Sequence, residues 1–245
     1  AATDLYRIGY RAPVVIAHNG PTAQRMAESF KTTWQRLSRN APEVAVFDTQ
    51  QDMQAVIQQV LDVQHSSARV TKARTMTIRK VKSEFRSRRD IDMIYIIANV
   101  ANTRLLKPYI DVNVSPFAKI IPIFATSRSF QGGADQTTMR DLNTLNFTDT
   151  PLLVANDEPY QSTIELIDSL WPDTDSRAKR LFGFGYDAYH LTKFVNRMQG
   201  FPNFTYKGLT GELSMDSNKT LYRRLDWAHY TRDRVNYVGK IKKTQ

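Results

Sequence analysis

An α/β fold built on a mostly parallel sheet is what this sequence predicts, and three observations predict it. Residues 12–17 (APVVIA) and 93–98 (MIYIIA) are short, unbroken apolar runs, the pattern of strands buried on both faces. Each of the first two strand candidates is followed by an amphipathic stripe of helical period. The resulting succession of strand, helix, strand and helix is that of parallel βαβ units. At 245 residues the chain can bury roughly 70–75% of its unfolded surface, enough for a substantial core.

The elements follow in order. Pro13 leads the first strand, and Asn19-Gly20-Pro21 punctuates its end. From Thr22 to Leu37 the apolar residues Ala23, Met26, Ala27, Phe30, Trp34 and Leu37 recur at three and four, and Pro21 suits the first helical turn. Val44–Phe47 reads as a second strand. Met53, Val56, Ile57, Val60 and Leu61 form the stripe of a second helix, with Asp48 or Asp52 as its expected cap. After the strand at 93–98, an amphipathic stretch over Ala101–Ile110 precedes another strand at 120–125 (IIPIFA). Pro122 cannot donate to a ladder, so that strand is expected at an edge or at an irregularity. Thr163–Leu170 and Ala178–Met198 read as helices, the second interrupted near Gly183 and Gly185. Glu212–Met215 and Leu221–Trp227 flank the turn-rich Asp216-Ser217-Asn218-Lys219 and predict a β-hairpin.

Charge is the most conspicuous bulk property: 34 Lys and Arg against 24 Asp and Glu leave a net charge of +10. Such a balance favours acidic partners without specifying a fold. Much of the excess lies between Arg69 and Arg89, where nine basic residues accompany one acid, Glu84. A phosphate-binding arm, an acidic docking partner and a solvated insertion all fit that pattern. Single-stranded nucleic-acid binders interleave aromatic residues with their charge for stacking, and only Phe85 does so here. Nucleic acid is therefore the least favoured partner.

Candidate chemistry is sparse. No cysteine is present, which excludes disulfides, thiolate metal sites and thiol catalysis. The four histidines lie far apart and have no metal-ligand spacing. Gly183-Phe184-Gly185 lacks the third glycine of a dinucleotide loop and follows a helical segment, so tight packing or a helix break explains it better. No run is long and apolar enough to span a bilayer. His18 ends the first strand, while Ser127 and Arg128 follow the strand ending at Ala125. Both places lie at the carboxyl edge of the expected sheet, where open α/β sheets bind ligands. With Arg86, Arg88 and Arg89 of the basic stretch, these are the candidate ligand or partner contacts. No catalytic residue, metal ligand or cofactor is predicted.

Several ordered strings carry a family resemblance. LFGFGYDAY (181–189), YKGLTGELSMD (206–216) and RRLDWAHY (223–230) resemble the end of the C-terminal domain of the LpoA (YraM) family. IDMIYIIAN (91–99), PIFATSRSF (122–130), LNTLNFTDTPLL (142–153) and SLWP (169–172) fall in the same order upstream. The resemblance spans about residues 5–238. That family comprises bacterial outer-membrane lipoproteins that activate a class A penicillin-binding protein by docking on its regulatory domain.

The resemblance implies a fold similar to type I periplasmic binding proteins, with two α/β lobes, crossing strands and a cleft. Residues 11–145 are expected to form mainly the second lobe, and 146–245 the crossing segment, helices and C-terminal hairpin. Because Asp4–Tyr10 runs almost directly into the second lobe's first strand, an incomplete first lobe in a fragment of a larger periplasmic lipoprotein is expected. The membrane would be met only through a lipid anchor outside this chain. A non-enzymatic activator of a peptidoglycan synthase is the leading expectation, and a receptor for a peptidoglycan-related small ligand in an inter-lobe cleft is the alternative.

Overall fold

A computed structural model describes residues 1–63, 87–114, 119–201 and 203–242. Its centre is a seven-stranded sheet in the order β10-β9-β5-β4-β3-β1-β2. The strands are β1 (Pro13–His18), β2 (Glu43–Phe47), β3 (Met93–Ile97), β4 (Ile123–Ala125), β5 (Asn146–Asp149), β9 (Asp226–Tyr230) and β10 (Val235–Gly239). β1 to β5 pair in parallel, and β9 and β10 close one side antiparallel. This is the expected α/β class with a parallel-dominated sheet.

Alternation along the strands divides the core between two faces. Val14 and Ile16 of β1, Ile94 and Ile96 of β3, and Ile123 and Ala125 of β4 pack on one face with Met53 and Ile57 of α3 (Gln50–Val60) and Leu106 and Ile110 of α4 (Val100–Asn113). Val15, Ala17, Met93, Tyr95, Ile97 and Phe124 point to the other face. There they meet Ala2 and Leu5 of α1 (Ala2–Arg7) and Ala23, Ala27, Phe30 and Trp34 of α2 (Pro21–Ser38). Both faces are buried among apolar residues, which explains why β1 and β3 read as unbroken apolar runs.

Helix ends follow local chemistry. Gly20 precedes Pro21 at the start of α2, and its position offers no side-chain cap. The cap of α3 is Thr49 rather than either expected aspartate: its hydroxyl accepts from the Asp52 amide while the Asp52 carboxylate accepts from the Thr49 amide. A reciprocal capping box of this kind satisfies two otherwise orphaned donors. β4 is central, contrary to the edge position expected from Pro122. The strand begins one residue later, and Pro122 contributes only its carbonyl, which accepts from the Ile94 amide at 3.1 Å.

A short helix, α5 (Gln136–Asp141), leads into β5. Beyond β5 the chain leaves the large sheet through α6 (Pro151–Val154), α7 (Tyr160–Leu170), α8 (Ser176–Leu191) and α9 (Val195–Gly200). It then forms a three-stranded antiparallel sheet of β6 (Tyr206–Lys207), β7 (Glu212–Met215) and β8 (Leu221–Arg224). The expected hairpin is β7–β8, turned at Asp216, whose carboxylate accepts from the Asn218 and Thr220 amides. Its second strand stops at Arg224, and Trp227 belongs to the large sheet through β9. α8 runs unbroken through Gly183 and Gly185, against the expected interruption. Gly183 serves close packing: a Cβ there would lie 3.3 Å from Leu152 Cδ2 and 3.4 Å from Thr210 Cγ2.

Candidate functional site

The strand order reverses between β1 and β3, which places a topological switch point at the carboxyl edge of the sheet, by His18 and Asn99. His18 is half-buried, its ring edge-on to Phe47 at 5.4 Å between centroids. The Asn99 side chain caps α4 by accepting from the Asn102 amide at 2.8 Å. Two strands along, the turn Ser127–Ser129 follows β4; Ser129 is buried and its hydroxyl donates to the Thr126 carbonyl, while Arg128 is exposed. His18, Ser127 and Arg128 thus share one edge of the sheet, with β3 between them.

The basic candidates lie elsewhere. Arg88 donates to Glu43 Oε2 at 2.6 Å and to Asp90 Oδ2 at 2.7 Å, and its amide donates to the Leu61 carbonyl. Glu43 begins β2, so Arg88 sits at the amino edge of the sheet, opposite His18. Its hydrogen bond to Asp90, with further help from Glu43, raises its pKa and keeps the guanidinium charged. Arg89 is exposed beside it, and Arg86 lies outside the described residues together with most of the basic stretch.

At the carboxyl edge the structure builds a polar joint that sequence reasoning missed. Asp149, 0% exposed at the end of β5, receives Arg180 of α8 through two hydrogen bonds, Nε to Oδ1 at 2.9 Å and Nη2 to Oδ2 at 2.6 Å. The same guanidinium donates to the carbonyls of Ser127 at 3.3 Å and Phe130 at 3.1 Å. Burial pushes the Asp149 carboxyl up from its usual range, while Arg180 and the Thr150 amide pull it down. One side chain thereby ties the ends of β4 and β5 to α8. Asp187, also buried, repeats the device in the small sheet: its carboxylate accepts from the Leu209 and Thr210 amides, each at 2.8 Å, and from the Thr210 hydroxyl at 2.6 Å. Asp4 of α1 forms a third, accepting from Arg224 at 2.8 Å and from Trp227 Nε1 at 3.3 Å. The side chains of these joints lie 22 or more residues from their partners, out of reach of any local motif.

Two other features stand out. Leu166 and Leu170 of α7 and Leu181, Phe184 and Tyr189 of α8 are exposed apolar residues. Between α1, α2 and the sheet lies a cavity of about 530 Å³ lined by, among others, Thr22, Arg25, Phe30, Tyr95 and Thr126. Among the described residues no three His, Cys, Asp or Glu side chains converge as a metal site would require. The arrangement supplies buried polar braces and a cavity.

Residues 1–233 match the family described as "LppC putative lipoprotein". The chain belongs to the LppC family. Among curated LppC relatives, "Penicillin-binding protein activator LpoA" of Photobacterium profundum is 33% identical over 235 residues, covering 96% of this chain and 38% of that protein. The protein of the same name from Vibrio antiquarius is 35% identical, covering 93% of this chain and 37% of its own length. The chain thus spans less than two fifths of these relatives. Among solved structures, the LpoA (YraM) C-domain from Haemophilus influenzae, described as a regulator of PBP1A, superposes with a TM-score of 0.71 at 22% identity, covering 97% of this chain and 64% of that one. A leucine-binding protein from Thermotoga maritima superposes with a TM-score of 0.54 at 14% identity, covering 98% and 63%. These likenesses give the LppC chain a fold similar to periplasmic binding proteins.

Proposed function

We propose that this chain is part of a non-enzymatic periplasmic regulator that binds the regulatory domain of a class A penicillin-binding protein and raises its peptidoglycan synthesis. The supporting observation is alignment with curated penicillin-binding protein activators over nearly the whole chain. In this reading the parent protein is an outer-membrane lipoprotein that meets the membrane through its anchor. Among the described residues no helix is long and apolar enough to cross a bilayer. Residues 11–145 then form mainly the second lobe, and 146–245 the crossing segment with its helices and hairpin.

Of the candidate contacts, Arg128 and Arg89 are exposed and form no ion pair among the described residues, so they are free to meet an acidic partner. His18 and Ser127 flank Arg128 along the same sheet edge. Incubation with the cognate synthase is expected to give co-precipitation and faster glycan polymerisation, both weakened by Arg128→Glu. Absence of binding at micromolar concentration overturns the proposal. A peptidoglycan-related small ligand is the second reading, and the cavity under α1 and α2 favours it.

A further inference from the structure

α8 reaches the large sheet without an apolar seat of its own. Its buried residues are Ser176, Gly183, Asp187 and Leu191. Gly183 packs on Leu152, Leu209 and Thr210, Asp187 holds the Leu209 and Thr210 amides, and Leu191 joins Met198 and Leu213. Among the described residues, no side chain of α8 belongs to either apolar cluster on the faces of the large sheet. Hydrogen bonds join its first turns to the carboxyl edge instead.

Those bonds come from Ser176 and Arg180, which stand four residues apart and so share a face of α8. The Gly132 amide donates to Ser176 Oγ at 2.8 Å, while Arg180 donates to the Asp149 carboxylate and to the Ser127 and Phe130 carbonyls. Apart from Asp149, every partner lies within residues 127–132, directly after β4. Gly132 suits the contact by having no side chain, since a Cβ there would lie 2.9 Å from Ser176 Oγ and force a shift.

The guanidinium is held as a ligand is held. Asp149, 0% exposed, gives it two oxygens in the fork geometry that a planar guanidinium matches, and the two carbonyls add further acceptors. Around the same turn the rings of Phe130, Phe147 and Tyr230 pack on one another, and Tyr230 donates to the Ser129 carbonyl. The Arg180 side chain keeps 27% of its exposure, so the site is reached from solvent.

We propose that Ser176 and Arg180 form a two-point clasp that seats α8 on the carboxyl edge, with the Arg180 guanidinium as an internal ligand of a site built from Asp149 and the Ser127 and Phe130 carbonyls. Seated, it closes the ends of β4 and β5 to outside ligands, at an edge that open α/β sheets otherwise offer to small molecules. With Arg180 removed, the site takes a free guanidinium. The clasp depends neither on synthase docking nor on the cavity under α1 and α2.

The chain has no cysteine, so one introduced pair reports the clasp. Gly132→Cys with Ser176→Cys places two sulfurs within bridging reach while α8 is seated. In a glutathione buffer the pair is expected to oxidise about tenfold faster with Arg180 present than with Arg180→Ala. In the Arg180→Ala background, about 50 mM ethylguanidinium is expected to restore most of that rate. Sodium chloride at equal ionic strength is expected to restore none of it, and ethylguanidinium none once Asp149→Asn is added. Where Arg180→Ala does not fold, ethylguanidinium is expected to restore its folding. Asp149→Asn with Arg180→Met, which leaves no buried charge unpaired, then carries the rate comparison and is expected to oxidise as slowly. Equal oxidation rates with and without the Arg180 guanidinium overturn the clasp. No restoration by ethylguanidinium, or equal restoration by sodium chloride, overturns the internal ligand.

Discussion

The two sheets of this molecule are held together by different means. In the seven-stranded sheet, all of β3 and residues 13–17 of β1 are buried, and both faces are covered by helices. In the three-stranded sheet only Leu213 of β7 is buried and none of β8 is, and its neighbouring apolar clusters are centred on three buried residues each. Its order leans instead on Asp187, which gathers the Leu209 and Thr210 amides and leaves room for no side chain at Gly208. Apolar burial contributes about 25 cal/mol per Å² regardless of direction, whereas a buried carboxylate works only while its donors are in place. The large sheet therefore distributes its stability over many residues, and the small one concentrates it in a few.

Three substitutions sharpen or break this contrast, from the largest effect to the smallest. Trp34→Ala removes a fully buried ring that stacks on Phe30 and meets Tyr6 edge-on. Urea unfolding is expected to show a loss of about 3–5 kcal/mol, felt throughout the large sheet. Asp187→Ala leaves two buried amides unpaired and is expected to cost about 1–3 kcal/mol. Hydrogen exchange should accelerate at Leu209 and Thr210 with β1 and β3 amides still protected; equal acceleration in both sheets would refute the contrast. Phe184→Ser changes a residue that is 62% exposed on α8, and its stability is expected to stay within about 0.5 kcal/mol of the parent by the same urea measurement.

What could be read in the sequence divides along the same line. β1, β3 and α2 were legible because burial on both faces of a strand, or along one stripe of a helix, leaves a periodic trace in adjacent residues. The β7–β8 turn was legible through Asp216, whose bonds are local. Pro122 misled because a proline excluded from a ladder can sit one residue before a central strand as readily as at an edge. Gly183 suggested a helix break or tight packing; α8 does not break there, and the missing side chain accommodates Leu152 and Thr210 from other elements. Among the candidate contacts, the pairing of Arg88 with Glu43 left no local trace, since Glu43 lies 45 residues away. The Asp149–Arg180 joint and the Tyr95–Thr126 cavity wall were invisible for the same reason: each joins residues distant in the chain that meet only once the sheet has formed.

β5 and β9 are antiparallel neighbours, and Asp149 at the end of one stands opposite Asp226 at the start of the other. Everything from residue 150 to 225 therefore departs and returns at a single rung. To the large sheet that excursion is topologically a hairpin loop, however much structure it contains. Closing a loop costs only about (3/2)RT ln n, so lengthening or trimming it alters the entropy of closure slowly and leaves the register of β5 against β9 untouched. Changes of length within the excursion thus meet the large sheet at one seam, where Asp149 and Arg180 remain the tie between them.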